Sequence, residues 1–160
     1  MKVKWKELII SVLISLGIGA LAGALTSNSM ELYGKLEKPA LSPPGWVFPV
    51  VWTILFILMG ISAYLIYVSD AEGKDDAIKV YALSLLLNFS WSIVFFRLDA
   101  YLLAFLVLIA LWLTILIMIR RFYKISPVAA YLQIPYLIWV TFAGYLNLAI
   151  YLLNRDFMLL

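Results

Sequence analysis

The charged residues of this chain fall in short clusters, and between them lie five charge-free stretches, 8–30, 39–69, 80–96, 100–119 and 125–154. A membrane-spanning helix needs roughly 17–25 mostly apolar residues at about 1.5 Å rise each. In lipid every backbone N–H and C=O must be paired internally, which a helix does within one segment. The pattern predicts an all-α integral membrane protein, a five-transmembrane-helix bundle that forms a single membrane domain over 1–160, with spans at approximately 8–27, 46–68, 78–97, 101–121 and 127–153. The third charge-free stretch is the shortest, so its ends recruit Lys79 or Arg97, whose long side chains snorkel to the interface. Residues 28–45, between the first two spans, are long enough to act as a lid.

That lid reads TSNSMELYGKLEKPALSPPGW with its flanks. Ser29 is placed to cap a short helix from Met30 to Leu36, Lys38-Pro39 breaks it, and Pro43-Pro44-Gly45 sets an extended entry into the second span. Tyr33, Leu36 and Leu41 give the segment apolar side chains poorly suited to water. A plain linker is the blander alternative.

Composition strengthens the membrane reading: 66% of the 160 residues are hydrophobic and 13% charged, where a soluble domain carries about a quarter charged. The chain has no Cys and no His, which excludes Cys/His zinc sites, disulfides, thiolate nucleophiles, Ser-His-Asp triads and His-ligated haem. The net charge of +3 is too small and scattered for a nucleic-acid surface. Lys2, Lys4 and Lys6 before an apolar run resemble a secretory leader, but the run is longer than an h-region and reads as a retained first helix. The N-terminus, the second loop (Lys74, Lys79) and the fourth loop (Arg120, Arg121, Lys124) hold eight basic residues against four on the other side. The N-terminus is therefore expected to be cytoplasmic, with the C-terminus and first loop opposite. The acidic residues lie in loops or at span ends, so no proton relay or cation path is suggested.

Within the spans the polar and aromatic residues carry the information. Asn88, Gln133 and Asn147 bring donors and acceptors that hydrocarbon leaves unsatisfied, so each is expected to face the bundle interior or a cavity. Asn88, Trp91 and Phe95 share one helix face, as do Trp139, Ala143 and Asn147, and Trp46, Pro49, Trp52 and Phe56. Ala143 and Gly144 beside Trp139 leave a concavity for a flat ligand. Trp5 and Tyr123 read as interfacial anchors. Gly19 and Gly23 form a GxxxG, which suits either packing within the bundle or a dimer seam. Pro135 should kink the fifth span and free a carbonyl near Tyr131 or Leu132.

Lys38-Pro39 with Pro43-Pro44-Gly45-Trp46-Val47-Phe48-Pro49 and Trp52, then Asn88 with Trp91, then Pro135-Tyr136-Leu137-Ile138-Trp139 leading to Asn147, together resemble the translocator protein family. Its members are also known as tryptophan-rich sensory proteins or peripheral-type benzodiazepine receptors. The resemblance implies a bundle, usually a homodimer, with a pocket beneath the first loop. The implied ligands are porphyrins such as protoporphyrin IX, sterols such as cholesterol, and isoquinoline or benzodiazepine drugs, in a sensory or stress-related role on porphyrin levels. No cofactor or metal is required; the partners are the lipid bilayer and a porphyrin or other apolar small molecule, with no nucleic acid.

Carried over by position, the implied ligand-binding residues are Tyr33, Pro43, Trp52, Asn88, Trp91, Trp139, Ala143, Leu146 and Asn147. Some bacterial relatives promote light- and oxygen-dependent breakdown of protoporphyrin IX, and Trp52 and Trp139 match the residues associated with that catalytic, photo-oxidative role. A structural membrane subunit without a small ligand is a third reading. The chain departs from the family pattern at Leu32 and Leu41, where aromatics are common. Leu148, Tyr151 and Arg155 fit a loose cholesterol-motif spacing and equally fit an interfacial helix end. A porphyrin would stack on Trp52, Trp91 and Trp139, with its carboxylates at Lys35 and Lys38 on the rim.

Overall fold

The computed structural model describes residues 3–158. The helices are α1 Trp5–Thr26, α2 Met30–Lys35, α3 Val47–Tyr67, α4 Lys74–Phe96, α5 Tyr101–Ile125, α6 Pro127–Leu132 and α7 Ile134–Met158. Among the described residues, five helical segments are long and apolar enough to cross a membrane: α1 with the turn after it, α3, α4, α5, and α6 together with α7.

Local chemistry explains where the helices start and stop. Gly73 adopts the left-handed conformation at φ 81°, which a residue without Cβ takes at no steric cost, and it hands over to α4 with Asp75 and Asp76 in the first turn. Starting at Lys74, α4 begins six residues before the charge-free stretch, and Lys79 pairs with Asp76 at 2.9 Å on an exposed face. Ser126 caps α6, its hydroxyl accepting from the Ala129 N–H, and Pro127 takes the first helical position where no N–H is needed. The break expected at Pro135 falls at Gln133. Proline has no N–H to give the carbonyl of Tyr131 and its ring crowds that carbonyl, so the helix ends beforehand and restarts with Pro135 in the first turn of α7. Similarly, Ser29 closes a 3-10 turn, Ser27–Ser29, and its side chain makes no capping bond to α2.

The spans form a closed ring in which α1 packs on α3 and α4, α4 on α5, α5 on α7, and α6 on α3. Small residues allow the close approaches. A Cβ added to Gly60 would stand 2.6 Å from the Val12 Cα, and the neighbouring Ser11 hydroxyl donates to the Gly60 carbonyl at 2.7 Å. Across the ring the Ser62 hydroxyl donates to the Ala129 carbonyl at 2.7 Å, and the Trp112 indole N–H to the Thr141 hydroxyl at 2.8 Å. Ile9, Ile10, Leu13 and Ile14 on α1 and Leu102, Leu106, Ile109 and Leu113 on α5 are exposed, as lipid-facing surfaces require. The exposed Trp5 and Tyr123 lie at span ends, and Asp99, at φ 52° between α4 and α5, accepts from the Tyr101 hydroxyl at 3.1 Å.

The connection between α1 and α3 is held by the far end of the chain. The Glu37 N–H donates to Asn154 Oδ1 at 3.0 Å, and Asn154 Nδ2 donates to the Glu37 carbonyl at 2.9 Å and to the Ile150 carbonyl at 2.8 Å. A single carboxamide thus imitates one rung of a β-ladder across 117 residues.

Candidate ligand-binding site

The aromatic stripes of α3, α4 and α7 converge. Trp52 stands at the junction, with ring centroids 6.2 Å from Trp91, 6.5 Å from Trp139 and 6.2 Å from Tyr136. The Trp139 and Tyr136 contacts are edge-to-face, which suits the ring quadrupoles. Phe48, one turn before Trp52, meets Trp139 at 5.9 Å and the loop residue Tyr33 at 6.4 Å. Tyr33 also meets Phe96 at 5.6 Å, so a residue of the first loop joins the aromatic cluster.

Buried hydrogen bonds fix two of the rings. The Trp91 indole N–H donates to Asn147 Oδ1 at 3.0 Å, and Asn147 Nδ2 donates to the Tyr101 carbonyl at 2.8 Å. Asn88 Nδ2 donates to the Tyr136 hydroxyl at 3.0 Å. Both carboxamides are buried, at 2% and 1% exposure, and each fixes an aromatic side chain of another helix.

Against this wall lies a cavity of about 640 Å³. Its far side is α1, which presents Leu16, Gly19, Ala20 and Gly23; its roof is Tyr33 and Gly45; its aromatic wall is Phe48, Trp52, Trp91 and Phe96. Gly19 faces the Phe56 ring too closely for any Cβ, whereas Gly23 faces open space. Both glycines of the GxxxG therefore turn toward the cavity. Ala20, Gly23, Pro49 and Thr53 line it and are exposed, so it opens sideways between α1 and α3.

Electrostatics at the site are sparse. Burial raises the Tyr33 pKa, which keeps its phenol neutral, and the Lys38 ammonium sits 4.9 Å above the Tyr33 ring. No group of three or more acidic side chains that could hold a metal occurs among the described residues. The site can enclose and stack a flat apolar molecule; it has no constellation for acid-base work.

Residues 11–153 match the model of the TspO/MBR family. The chain belongs to the TspO/MBR family. It is 40% identical over 126 residues to the tryptophan-rich protein TspO of Chlorobaculum tepidum, covering 76% of this chain and 78% of that relative. It is 39% identical over 150 residues to the tryptophan-rich protein TspO of Archaeoglobus fulgidus, covering 92% and 97%. To the tryptophan-rich sensory protein of Cereibacter sphaeroides it is 36% identical over 154 residues, covering 96% and 95%. As a TspO/MBR protein with five apolar spans, it is a multi-pass integral membrane protein.

The positions that resemblance to the TspO/MBR family marks do not all meet in one place. Tyr33, Trp52, Asn88 and Trp91 line the cavity. Trp139 stands one ring behind, against Trp52 and Phe48, and its buried indole N–H finds no hydrogen-bond partner among the described residues. Ala143, Leu146 and Asn147 are buried on α7 outside the cavity lining, and Pro43 lies on the loop, also outside it. Trp46 is exposed and joins no ring. Phe48, Phe96 and the α1 glycines belong to the cavity, and Asn154 to the loop, beyond the marked set. Phe48 lies four residues before Trp52 and Asn154 seven after Asn147, so helical spacing carried a signal for both.

Proposed function

We propose that this TspO/MBR protein is a membrane receptor that takes flat apolar molecules, porphyrin-like tetrapyrroles first among them, into the cavity between α1, α3 and α4, with the first loop as its lid. The observation that carries this reading is the cavity itself. Its volume of about 640 Å³ lies within the roughly 300–1,000 Å³ of small-molecule sites, and one wall is made of indole and phenyl rings in mutual contact. Binding comes from apolar enclosure and stacking, each aromatic pair contributing about 0.5–1.5 kcal/mol beyond its burial. Lys38, already over Tyr33, and Lys35 supply cations at the rim for ring carboxylates. Without His a haem iron would lack its commonest axial ligand, so metal-free porphyrin suits the site better.

The positive-inside count supports an N-terminus in the cytoplasm and the loop on the opposite side. Titrating the detergent-solubilised protein with protoporphyrin IX should quench Trp fluorescence saturably, and Trp52→Phe should weaken the midpoint. Quenching that is linear, or unchanged in Trp52→Phe, would count against the pocket.

A second reading, photo-oxidative breakdown of bound porphyrin by dioxygen, is favoured by one observation. Trp52 lines the cavity and is in edge contact with Trp139 behind it, so an indole would lie beside an excited porphyrin with a second indole in contact. Illumination in air should then bleach the porphyrin bands in wild type and not in Trp139→Phe. Porphyrin bands that survive illumination in wild type leave binding alone.

A further inference from the structure

Below the aromatic cluster, toward the end of the bundle remote from the first loop, the interior turns polar in a way the pocket does not use. Gln133, at the break between α6 and α7, is 0% exposed, and both its Oε1 and its Nε2 find no hydrogen-bond partner among the described residues. The Tyr81 hydroxyl on α4 is also buried and without a partner there. Ser15 on α1, Ser62 on α3 and Ser84 on α4 are likewise 0% exposed. Their hydroxyl hydrogens are already donated to the carbonyls of Ser11, Ala129 and Tyr81, which leaves oxygen lone pairs free to accept. Ser15 faces the Tyr81 hydroxyl, and Ser84 faces that of Tyr136, one turn along α7 from Gln133.

A carboxamide with all its capacity unused is rare in a protein interior and costly in a bundle whose outer surface meets hydrocarbon. Something must supply both an acceptor and donors to Gln133, and the Tyr81 hydroxyl, with the Ser15 oxygen beside it, has capacity left to join the same partner. The buried polar side chains are Ser, Thr, Asn and Gln among the described residues, with no buried charge, so the missing partner is neutral. A small neutral molecule that donates and accepts at once is water, and buried waters bridge just such groups.

We propose that ordered water is bound at the α6/α7 break, held by the Gln133 carboxamide and the Tyr81 hydroxyl and bordered by Ser15, Ser62 and Ser84. The site continues the pocket floor. Asn88 lines the cavity and donates to Tyr136, and Tyr136 adjoins Ser84, so a hydrogen-bonded path runs from the cavity into the hydrated interior. The proposal is independent of which ligand, if any, occupies the pocket.

Hydroxyl-radical footprinting by synchrotron radiolysis of the detergent-solubilised full chain tests it, because radicals formed from a bound water oxidise adjacent side chains that bulk solvent cannot reach. Met118 Sδ lies 3.9 Å from Ser84 Oγ and is 0% exposed, and Tyr81 carries the orphan hydroxyl; both should be labelled. Phe122, fully buried on the same helix as Met118, gives the background of a dry interior. Gln133→Leu should cut labelling of Met118 and Tyr81 several-fold and lower the thermal midpoint, since the water loses its main partner. Tyr81 and Met118 no more modified than Phe122, with a raised midpoint in Gln133→Leu, would overturn the proposal, because removing a dry, unpaired amide relieves strain. Should Gln133→Leu fail to fold, the wild-type labelling pattern decides alone.

Discussion

Asn154 offers the sharpest test of whether the first loop acts as a lid. Its carboxamide takes the Glu37 N–H and gives to the Glu37 carbonyl, at 3.0 and 2.9 Å, and so pins to α7 the segment that carries Tyr33 over the cavity. Asn154→Ala removes both bonds. A net hydrogen bond is worth about 0.5–1.5 kcal/mol, so the closed loop loses about 1–3 kcal/mol. At about 1.4 kcal/mol per factor of ten, the loop should open about 5- to 150-fold more often. The first readout is hydrogen–deuterium exchange at the Glu37 amide, which should accelerate by that factor while exchange in the middle of α5 stays unchanged. Stopped-flow displacement of bound protoporphyrin IX is the second, and its dissociation rate should rise in step. Asn154→Asp keeps an acceptor for the Glu37 N–H and loses the donor, so it should fall between wild type and Asn154→Ala. Exchange at Glu37 unchanged in Asn154→Ala would show that the loop is held by its aromatic contacts instead. Faster exchange with an unchanged dissociation rate would show that loop opening does not govern ligand release.

Three further outcomes follow from the packing. Asn147→Leu strands the Trp91 indole N–H in a dry interior at a cost of about 1–3 kcal/mol and removes the second bond to the Tyr101 carbonyl; the thermal midpoint should drop, and the Trp emission spectrum should shift as Trp91 loosens. Gly23→Leu projects into open space at the cavity and should weaken porphyrin quenching with little change in midpoint, whereas Gly60→Ala meets the Val12 backbone at 2.6 Å and should lower the midpoint. Equal effects of the two substitutions on midpoint would contradict this packing. Burial raises the Tyr33 pKa above its usual 10.0, so the closed loop favours the neutral phenol. That contribution is fully present below pH 10.0 and is lost as pH rises through the raised value; Glu37 exchange should accelerate there in wild type and not in Tyr33→Phe.

The five apolar spans were legible because charges are costly in lipid and therefore mark the ends of helices. Residues whose role depends on an apolar face, such as Trp52 and Trp91, were legible by spacing, since helical periodicity and burial coincide there. Two features were not. Gly19 and Gly23 read equally as packing or dimer seam, because a GxxxG states that something comes close without saying what; here Phe56 comes close to the first and the cavity to the second. Asn147 read as facing the bundle interior or a cavity because an amide at depth needs a partner, and only the family resemblance marked it for the pocket. Which partner it finds depends on α4 and on the start of α5, and the structure gives it Trp91 and Tyr101. The position of the α6/α7 break was blurred for a local reason, since Pro135 sits after the break it causes.

The two walls of the cavity differ in stiffness, and that difference bears on what the site can select. The α3 and α4 side is held by rings in mutual contact, with Trp91 tied to Asn147 and Asn88 to Tyr136 by buried hydrogen bonds. The α1 side presents Gly19, Ala20 and Gly23, has no side-chain hydrogen bond into the cavity, and is exposed at its mouth. A rigid flat wall opposite a wall of small residues discriminates by planarity and thickness more than by polar pattern, because few fixed donors or acceptors face the space. Ligands of quite different polar decoration should therefore compete for one site provided each is flat, while saturated analogues of equal hydrophobicity should bind weakly. Equal affinity for a planar tetrapyrrole and its ring-reduced, buckled counterpart would mean that the stiff aromatic wall does not set the selection.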